Sequence, residues 1–211
     1  MKEFIKVNKY YLITIILMLL TFILVKKHFS YELLTLDTSI HDKLLTFMHT
    51  DILNVCFKFI SFLGSVYFYI GLLIIVFIFF RKYFKRISIS LTSAYLINIL
   101  FKLIINRDRP VTYIVKTPID PSFPSGHTVC SVVLYGVIIY LLSGIKNKSV
   151  RVFLRTTLVL LIILIGISRI YLGVHFVTDV FVGYVLGIII LVMFIRYWIF
   201  SLVYKHRNNK G

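Results

Sequence analysis

The stretch "LVLLIILIGISRIYLGVHFVTDVFVGYVLGIIILVMFI", residues 158–195, is two apolar runs joined by a short segment that holds an arginine, a histidine and an aspartate. An α-helix needs roughly 17–25 residues to cross a bilayer, and each run belongs to a stretch of about that length. A charged side chain at bilayer depth costs about 2.5–3.5 kcal/mol even on the mildest scale. Arg169, His175 and Asp179 therefore belong where two membrane helices meet at one face, and their cost calls for a function.

The whole chain has the same character. Of its 211 residues 59% are hydrophobic and only 15% charged, against about 25% charged in soluble domains. Six apolar stretches can be read, over residues 10–25, 62–80, 87–105, 129–143, 152–167 and 180–199. The fourth is short, and a helix start near Ser125 lengthens it. The expected fold is all-α: an integral membrane bundle of six transmembrane helices, one domain over residues 1–211. Lys2, Lys6 and Lys9 precede the first run as they would in a signal sequence. Lys26 and Lys27 follow it, where small residues would mark a cleavage site, so the run is expected to stay as a membrane helix. Between the first two runs, residues 31–61 carry Leu33, Ile40, Leu44, Phe47, Met48 and Ile52 at roughly helical spacing among Asp37, Asp42, Lys43 and Asp51. This predicts a short amphipathic helix, lying on the membrane surface or capping the bundle. Cys56 and Cys130 are far apart and lack ligand spacing, which points to helix packing rather than a disulfide or metal site.

Net charge is +16, and its distribution points to a membrane, with nucleic acid excluded as a partner. With both termini cytoplasmic, the inner segments hold 15 of the 24 basic residues against Glu3 alone, a net +14, while the outer segments carry +2. That is the positive-inside bias of multi-pass proteins, with anionic lipid headgroups as partners for the inner face. No basic module interleaved with aromatics is present to bind nucleic acid.

All four prolines, Pro110, Pro118, Pro121 and Pro124, fall in one loop between the third and fourth runs, which the charge split puts outside. Proline ends helices and lacks a donor, so this loop is specifically shaped. Chemistry-bearing residues gather at the same face. Lys102 ends the third run, and Arg109 follows seven positions on. "PSGH", Pro124 to His127, opens the fourth run. Ser168 and Arg169 close the fifth, and His175 and Asp179 begin the sixth.

His175 and Asp179 are four apart, about 40° around a helix, so they share a face. Asp179 can accept from one imidazole nitrogen and leave the other as an attacking lone pair. Arg169 would point the opposite way on a continuous helix, and a break at Gly173 removes that conflict. Pro-Ser-Gly suits a helix start, whose free N–H groups make a ready anion site. Taken singly, these residues have plainer readings: Lys102 as a snorkelling anchor, Ser125 as an N-cap, His127 as an interfacial histidine. Together, three cations, a helix N-terminus and two histidines describe a phosphoryl-transfer site. His28, His41, His49 and His206 lie in polar flanks and are assigned no role.

The segments "KLIINRDRP", "PSGH" and "SRIYLGVHFVTD" resemble the three-part signature of the type 2 phosphatidic acid phosphatase family: lysine, six residues, Arg-Pro; Pro-Ser-Gly-His; and Ser-Arg, five residues, His, three residues, Asp. Every signature position matches, in order, and the resemblance is clearest over residues 62–199. It implies a phosphatase that works through a phosphohistidine without metal or other cofactor. His175 would be the nucleophile and Asp179 its orienting partner. His127 would protonate the leaving oxygen and then activate water. Lys102, Arg109, Ser125, Gly126 and Arg169 would hold the phosphate. Arg107 and Asp108 fall between signature positions and are left unassigned. The implied substrate is a lipid phosphate of the phosphatidate or phosphatidylglycerol phosphate type, or else undecaprenyl pyrophosphate. Specialists for the last often depart from glycine at the position of Gly126, which favours a phospholipid. Small size further suggests a bacterial plasma membrane enzyme.

Two other functions compete. A phosphate-binding or lipid-translocating protein without turnover would need no His175–Asp179 pair. Haloperoxidase chemistry, known on related folds, fits poorly with a membrane setting. Metal-dependent hydrolysis would want clustered carboxylates, and the chain has only eight acidic residues.

Overall fold

The computed structural model describes Lys9, Ile13, Ile16, Leu20 and residues 30–47, 50–112 and 114–208. Among them run seven α-helices and no strand: α1 Ser30–Phe47, α2 Asp51–Phe62, α3 Val66–Phe79, α4 Arg81–Ile105, α5 Gly126–Leu141, α6 Lys148–Tyr171 and α7 Val177–Asn208.

α5 is the axis of the bundle. Every residue from Thr128 to Val137 is buried, wrapped by α4, α6 and α7. The most extensive contact is with α7, and glycine permits it. Gly183 and Gly187 are four apart on one face of α7, and a Cβ there would sit 3.0 Å from Thr128 Cβ and 2.7 Å from Val132 Cβ of α5. Small residues at this spacing let membrane helices meet backbone to backbone, where lipid leaves packing rather than the hydrophobic effect as the driving force. Ala94, Phe101, Val129, Val133, Leu186 and Ile190 fill the seam beside this contact. α6, by contrast, is peripheral. Its buried residues are confined to its last part, from Ile165 to Tyr171, and its exposed Phe153, Leu160 and Ile163 suit a lipid-facing surface.

Four helices, α4 to α7, are long and apolar enough to cross a membrane, or five spans if α2 and α3 count as one bent span. This makes a multi-pass membrane protein. The expected helix over residues 10–25 falls almost entirely outside the described residues. The expected span over residues 62–80 is not one straight helix. α2 and α3 meet at 50° across residues 63–65, because Ser65 caps α3 by accepting from Phe68 N–H. Gly64 at the bend lies so close to α6 that a Cβ would be 2.6 Å from Ile165 Cγ2.

The amphipathic segment also divides, with Thr50 capping α2 through its side chain. Its orientation differs from a simple surface helix. On α1 the polar Asp37 and His41 are buried, while Leu36 and Ile40 are exposed. His41, read as lying in a polar flank, meets Val111 O through Nε2 at 2.8 Å. Both cysteines are free; Cys130 is buried, but Cys56 is exposed rather than packed.

Candidate active site

At the end of the bundle where α4 stops and α5 starts, loop and helix ends surround a cavity of about 300 Å³. Its lining includes Lys102, Arg109, Gly126, His127, Arg169 and His175. Six of the eight residues expected to form the site thus share one cavity, within the range of small-ligand pockets. Ser125 and Asp179 lie directly behind it, fully buried.

The turn between α6 and α7 achieves this convergence. α6 ends at Tyr171, and Gly173 takes a φ of +67°, a conformation glycine adopts without penalty. A side chain there would also press on Thr112 Cβ at 2.9 Å. The chain reverses, Val174 N–H returns to Arg169 O, and Arg169 and His175 reach the same cavity. α7 begins at Val177, so His175 sits in the turn ahead of the helix rather than on it. It still meets Asp179, because Asp179 Oδ2 also accepts from Phe176 N–H at 3.0 Å and so caps the helix start.

The His175 ring is held at both nitrogens. Nδ1 lies 3.3 Å from Asp179 Oδ2, and Nε2 lies 3.2 Å from Arg109 Nη1. A guanidinium can only donate, so Nε2 carries the lone pair and Nδ1 the proton. Burial pushes the His175 pKa well below its ordinary value, and Arg169, Arg109 and Lys102 push it the same way. Both effects favour the neutral imidazole, whose unprotonated Nε2 lies beside Arg109 at the cavity.

The cations are arranged for an anion. Arg109 is fixed by donating to Val174 O at 2.8 Å and Asp120 O at 2.7 Å. Arg169 reaches Ser61 Oγ through Nη1, while its buried Nε has no hydrogen-bond partner among the described residues. A buried donor without a partner is costly, and an anion in the cavity would relieve it. Ser125 occupies the N-cap position of α5 without a side-chain cap bond; its Oγ instead accepts from Thr128 Oγ1. The first-turn N–H groups of α5 are thus not consumed by a cap. Gly126 leaves room for Asn98: a Cβ there would lie 2.9 Å from Asn98 Oδ1 and force that side chain to shift.

Four residues at or beside the site escaped the sequence reading. Asp120 binds Lys102 Nζ at 2.6 Å and Arg109 Nη2 at 3.0 Å, so a carboxylate sits between two of the cations. Burial alone would raise its pKa, but Lys102 and then Arg109 outweigh that and hold it below the usual carboxylate range. Arg107 binds both Asp179 and Asp37. Asn98 donates to Pro124 O at 3.2 Å and so braces the start of α5. A lone asparagine in an apolar run was the one usable sequence signal among them.

Comparison with known proteins points to one family. A relative, phosphatidylglycerophosphatase B of Bacillus subtilis (strain 168), is 34% identical over 148 residues, 65% of this chain and 71% of its own. An undecaprenyl-diphosphatase of Sulfolobus acidocaldarius is 29% identical over 155 residues, 69% of this chain and 70% of its own. Among solved structures, a transmembrane PAP2 type phosphatidylglycerolphosphate phosphatase from Bacillus subtilis superposes with a TM-score of 0.76 at 28% identity, covering 89% of this chain and 96% of that one. Aquifex aeolicus LpxE superposes with a TM-score of 0.64 at 30% identity, covering 77% and 96%. The profile of the PAP2 superfamily matches residues 83–203, more than half of the sequence, and the chain therefore belongs to that superfamily.

Proposed function

We propose that this protein is a membrane lipid phosphatase that transfers the phosphoryl group of its substrate to His175 and then to water. One observation carries the mechanism: Asp179 holds His175 Nδ1 while Arg109 donates to Nε2. The nucleophile is thus kept in one tautomer, pointed at the cations.

An arriving phosphate displaces Asp120 from Lys102 and Arg109, takes the orphaned Arg169 Nε, and draws Arg109 Nη1 from Nε2 onto its own oxygen. Nε2 then bonds to phosphorus as the bond from phosphorus to the lipid oxygen breaks. His127, having taken up the proton that the phosphate monoanion carries into the cavity, gives that proton to the lipid oxygen. In the second step His127 takes a proton from water, the water oxygen bonds to phosphorus, and the phosphorus–nitrogen bond breaks to release phosphate. Preorganised donors around the developing charge supply the main stabilisation, and no metal takes part in any step. The charge split supports an outward-facing site in a plasma membrane with both termini inside. With Cys56 and Cys130 first replaced by serine, cysteines introduced singly at 114–120 should react with an impermeant thiol reagent in intact cells and those at 145–150 should not; the reverse pattern would turn the site inward.

The favoured substrate is a glycerophospholipid phosphate monoester, as the name of the Bacillus subtilis relative suggests. The Sulfolobus relative gives specific support to a second reading, undecaprenyl pyrophosphate. Purified protein should release phosphate from phosphatidylglycerol phosphate and phosphatidate faster than from undecaprenyl pyrophosphate. Activity should persist in chelator and fall with vanadate, which mimics five-coordinate phosphorus. A reversed order would favour the second substrate; loss in chelator, restored by magnesium, would overturn the mechanism.

A further inference from the structure

Arg107 is near the reacting centre, yet it lines no part of the cavity. Its guanidinium is committed elsewhere. Nη1 donates to Asp179 Oδ1 at 2.8 Å and to Thr178 Oγ1 at 2.7 Å. Nη2 donates to Asp37 Oδ2 at 2.8 Å, and the group lies over the Phe176 ring, 4.3 Å from its centroid. Asp37 comes from α1, far away in sequence, and is 2% exposed; Asp179 is wholly buried. Asp37 also accepts from Thr178 N–H at 3.3 Å and from the Thr178 hydroxyl. A carboxylate on one helix thereby satisfies a first-turn donor of another.

We propose that Asp37 and Arg107 are positioning residues for phosphoryl transfer, extending the His175–Asp179 pair into the chain Asp37–Arg107–Asp179–His175 and making α1 part of the catalytic apparatus. The inference rests on the reading of His175 as nucleophile. Each oxygen of the Asp179 carboxylate has its own task. Oδ2 faces His175 Nδ1 and Phe176 N–H, and Oδ1 faces Arg107. With Oδ1 pinned, the carboxylate cannot rotate away from the imidazole, a constraint worth having where the Nδ1 contact is as long as 3.3 Å.

Charge gives a second reason. When Nε2 bonds to phosphorus, the imidazole ring becomes positive, deep in a site where solvent cannot compensate. Arg107 alone would cancel Asp179, the carboxylate that faces the ring on the side away from the phosphoryl group. Asp37 restores the balance: two carboxylates against one guanidinium leave one net negative charge for the ring. A buried ion pair is by itself weak evidence for stability. Here the arrangement favours the phosphorylated state more than the resting one, which is what accelerates a step. The alternative is an anchor that only holds α1 in place, and it makes different predictions.

The test uses the full-length protein in detergent micelles. It measures steady-state turnover of lipid substrate, the rate of covalent phosphoenzyme formation, and thermal stability. Arg107→Ala would leave two buried carboxylates facing each other and is expected to unfold, so the decisive variants are Asp37→Asn and Arg107→Lys. Each should slow phosphoenzyme formation and kcat by about tenfold or more, with KM changed by less than about threefold. Tenfold corresponds to roughly 1.4 kcal/mol of transition-state stabilisation. In an Asp179→Asn background, Asp37→Asn should cost less than about threefold, because residues acting through a shared partner are not additive.

Asp37→Asn with normal kcat and only a lower melting temperature would make the cluster an anchor and overturn the inference. So would an effect confined to KM, or one that multiplies fully with Asp179→Asn. Two controls separate this from the parent reading. If His175→Ala still forms a phosphoenzyme, or Asp179→Asn turns over normally, the phosphohistidine mechanism fails and the inference falls with it. If both controls behave and Asp37→Asn is normal, the inference alone fails.

Discussion

Two carboxylates stand at the site, each tied to an arginine, and they differ in permanence. Asp179 is fully buried on α7, fixed by Arg107, His175 and Phe176 N–H. Asp120 is on the proline-rich loop, with its side chain 52% exposed, and it binds Lys102 and Arg109, two of the three cations proposed to hold the phosphate. On the proposed mechanism an arriving phosphate displaces the exposed Asp120, whereas Asp179 has no surface open to solvent. The same functional group thus serves once as a fixture and once as a stand-in. Burial, rather than residue type, decides which.

If this distinction is right, the largest effects belong to the buried side. His175→Ala should abolish turnover and leave no acid-labile phosphoenzyme. His127→Ala, given p-nitrophenyl phosphate, should instead trap the phosphoenzyme and release about one nitrophenolate per site, because that leaving group hardly needs an acid while water still needs a base. Rapid mixing with labelling of the protein distinguishes them; trapping by His175→Ala would exchange the two roles.

Asp179→Asn should come next, lowering kcat by roughly 10²–10⁴ with the fold retained, the scale of positioned acid–base effects. Turnover near that of the unmodified protein would reduce Asp179 to a structural group and remove the contrast. Asp120→Asn should act on binding alone. KM and the inhibition constant for inorganic phosphate should each fall by about two- to fivefold, the modest gain expected when a solvent-accessible competing ion pair is removed, with kcat within about twofold. A collapse of kcat would place Asp120 in the chemistry. The smallest effect should come from Thr112→Val, which cuts the tie from the loop to Leu172 O at 2.8 Å. Thr112 Oγ1 also accepts from Ile114 N–H at 3.2 Å, so two hydrogen bonds are lost at about 1 kcal/mol each, and thermal stability should drop modestly while KM stays within about twofold. A large rise in KM would show that the loop, not its charge, governs entry.

The residues proposed to act directly on phosphate were legible in the sequence because such chemistry demands fixed types at fixed spacings. Lys102, Arg109, His127, Arg169 and His175 all face one cavity, and the break needed at Gly173 is present. The supporting residues were not legible. Asp37 lies on a segment whose polar residues would ordinarily face water, and nothing local reveals that this face turns inward. Arg107 looks like one more basic residue at a helix end. Its meaning comes only from two carboxylates distant in sequence. The bend at residues 63–65 is similarly hidden inside an apolar run, since hydropathy registers burial in lipid and is blind to direction.

The glycine contact between α5 and α7 has a consequence for how such an enzyme can change. Gly183 meets α5 beside Thr128 and Ser125 O, and Ser125 N–H donates directly to Asp179 O at 3.1 Å. The gap between the helix start bearing His127 and the turn bearing His175 is therefore set by main chain against main chain, like a calliper locked at one opening. Side chains around the rim, on α3, on the loop and along α4, can vary in size without altering that setting. On the proposed mechanism, selection among lipid phosphates is thereby mechanically uncoupled from the distances over which the phosphoryl group and its protons travel.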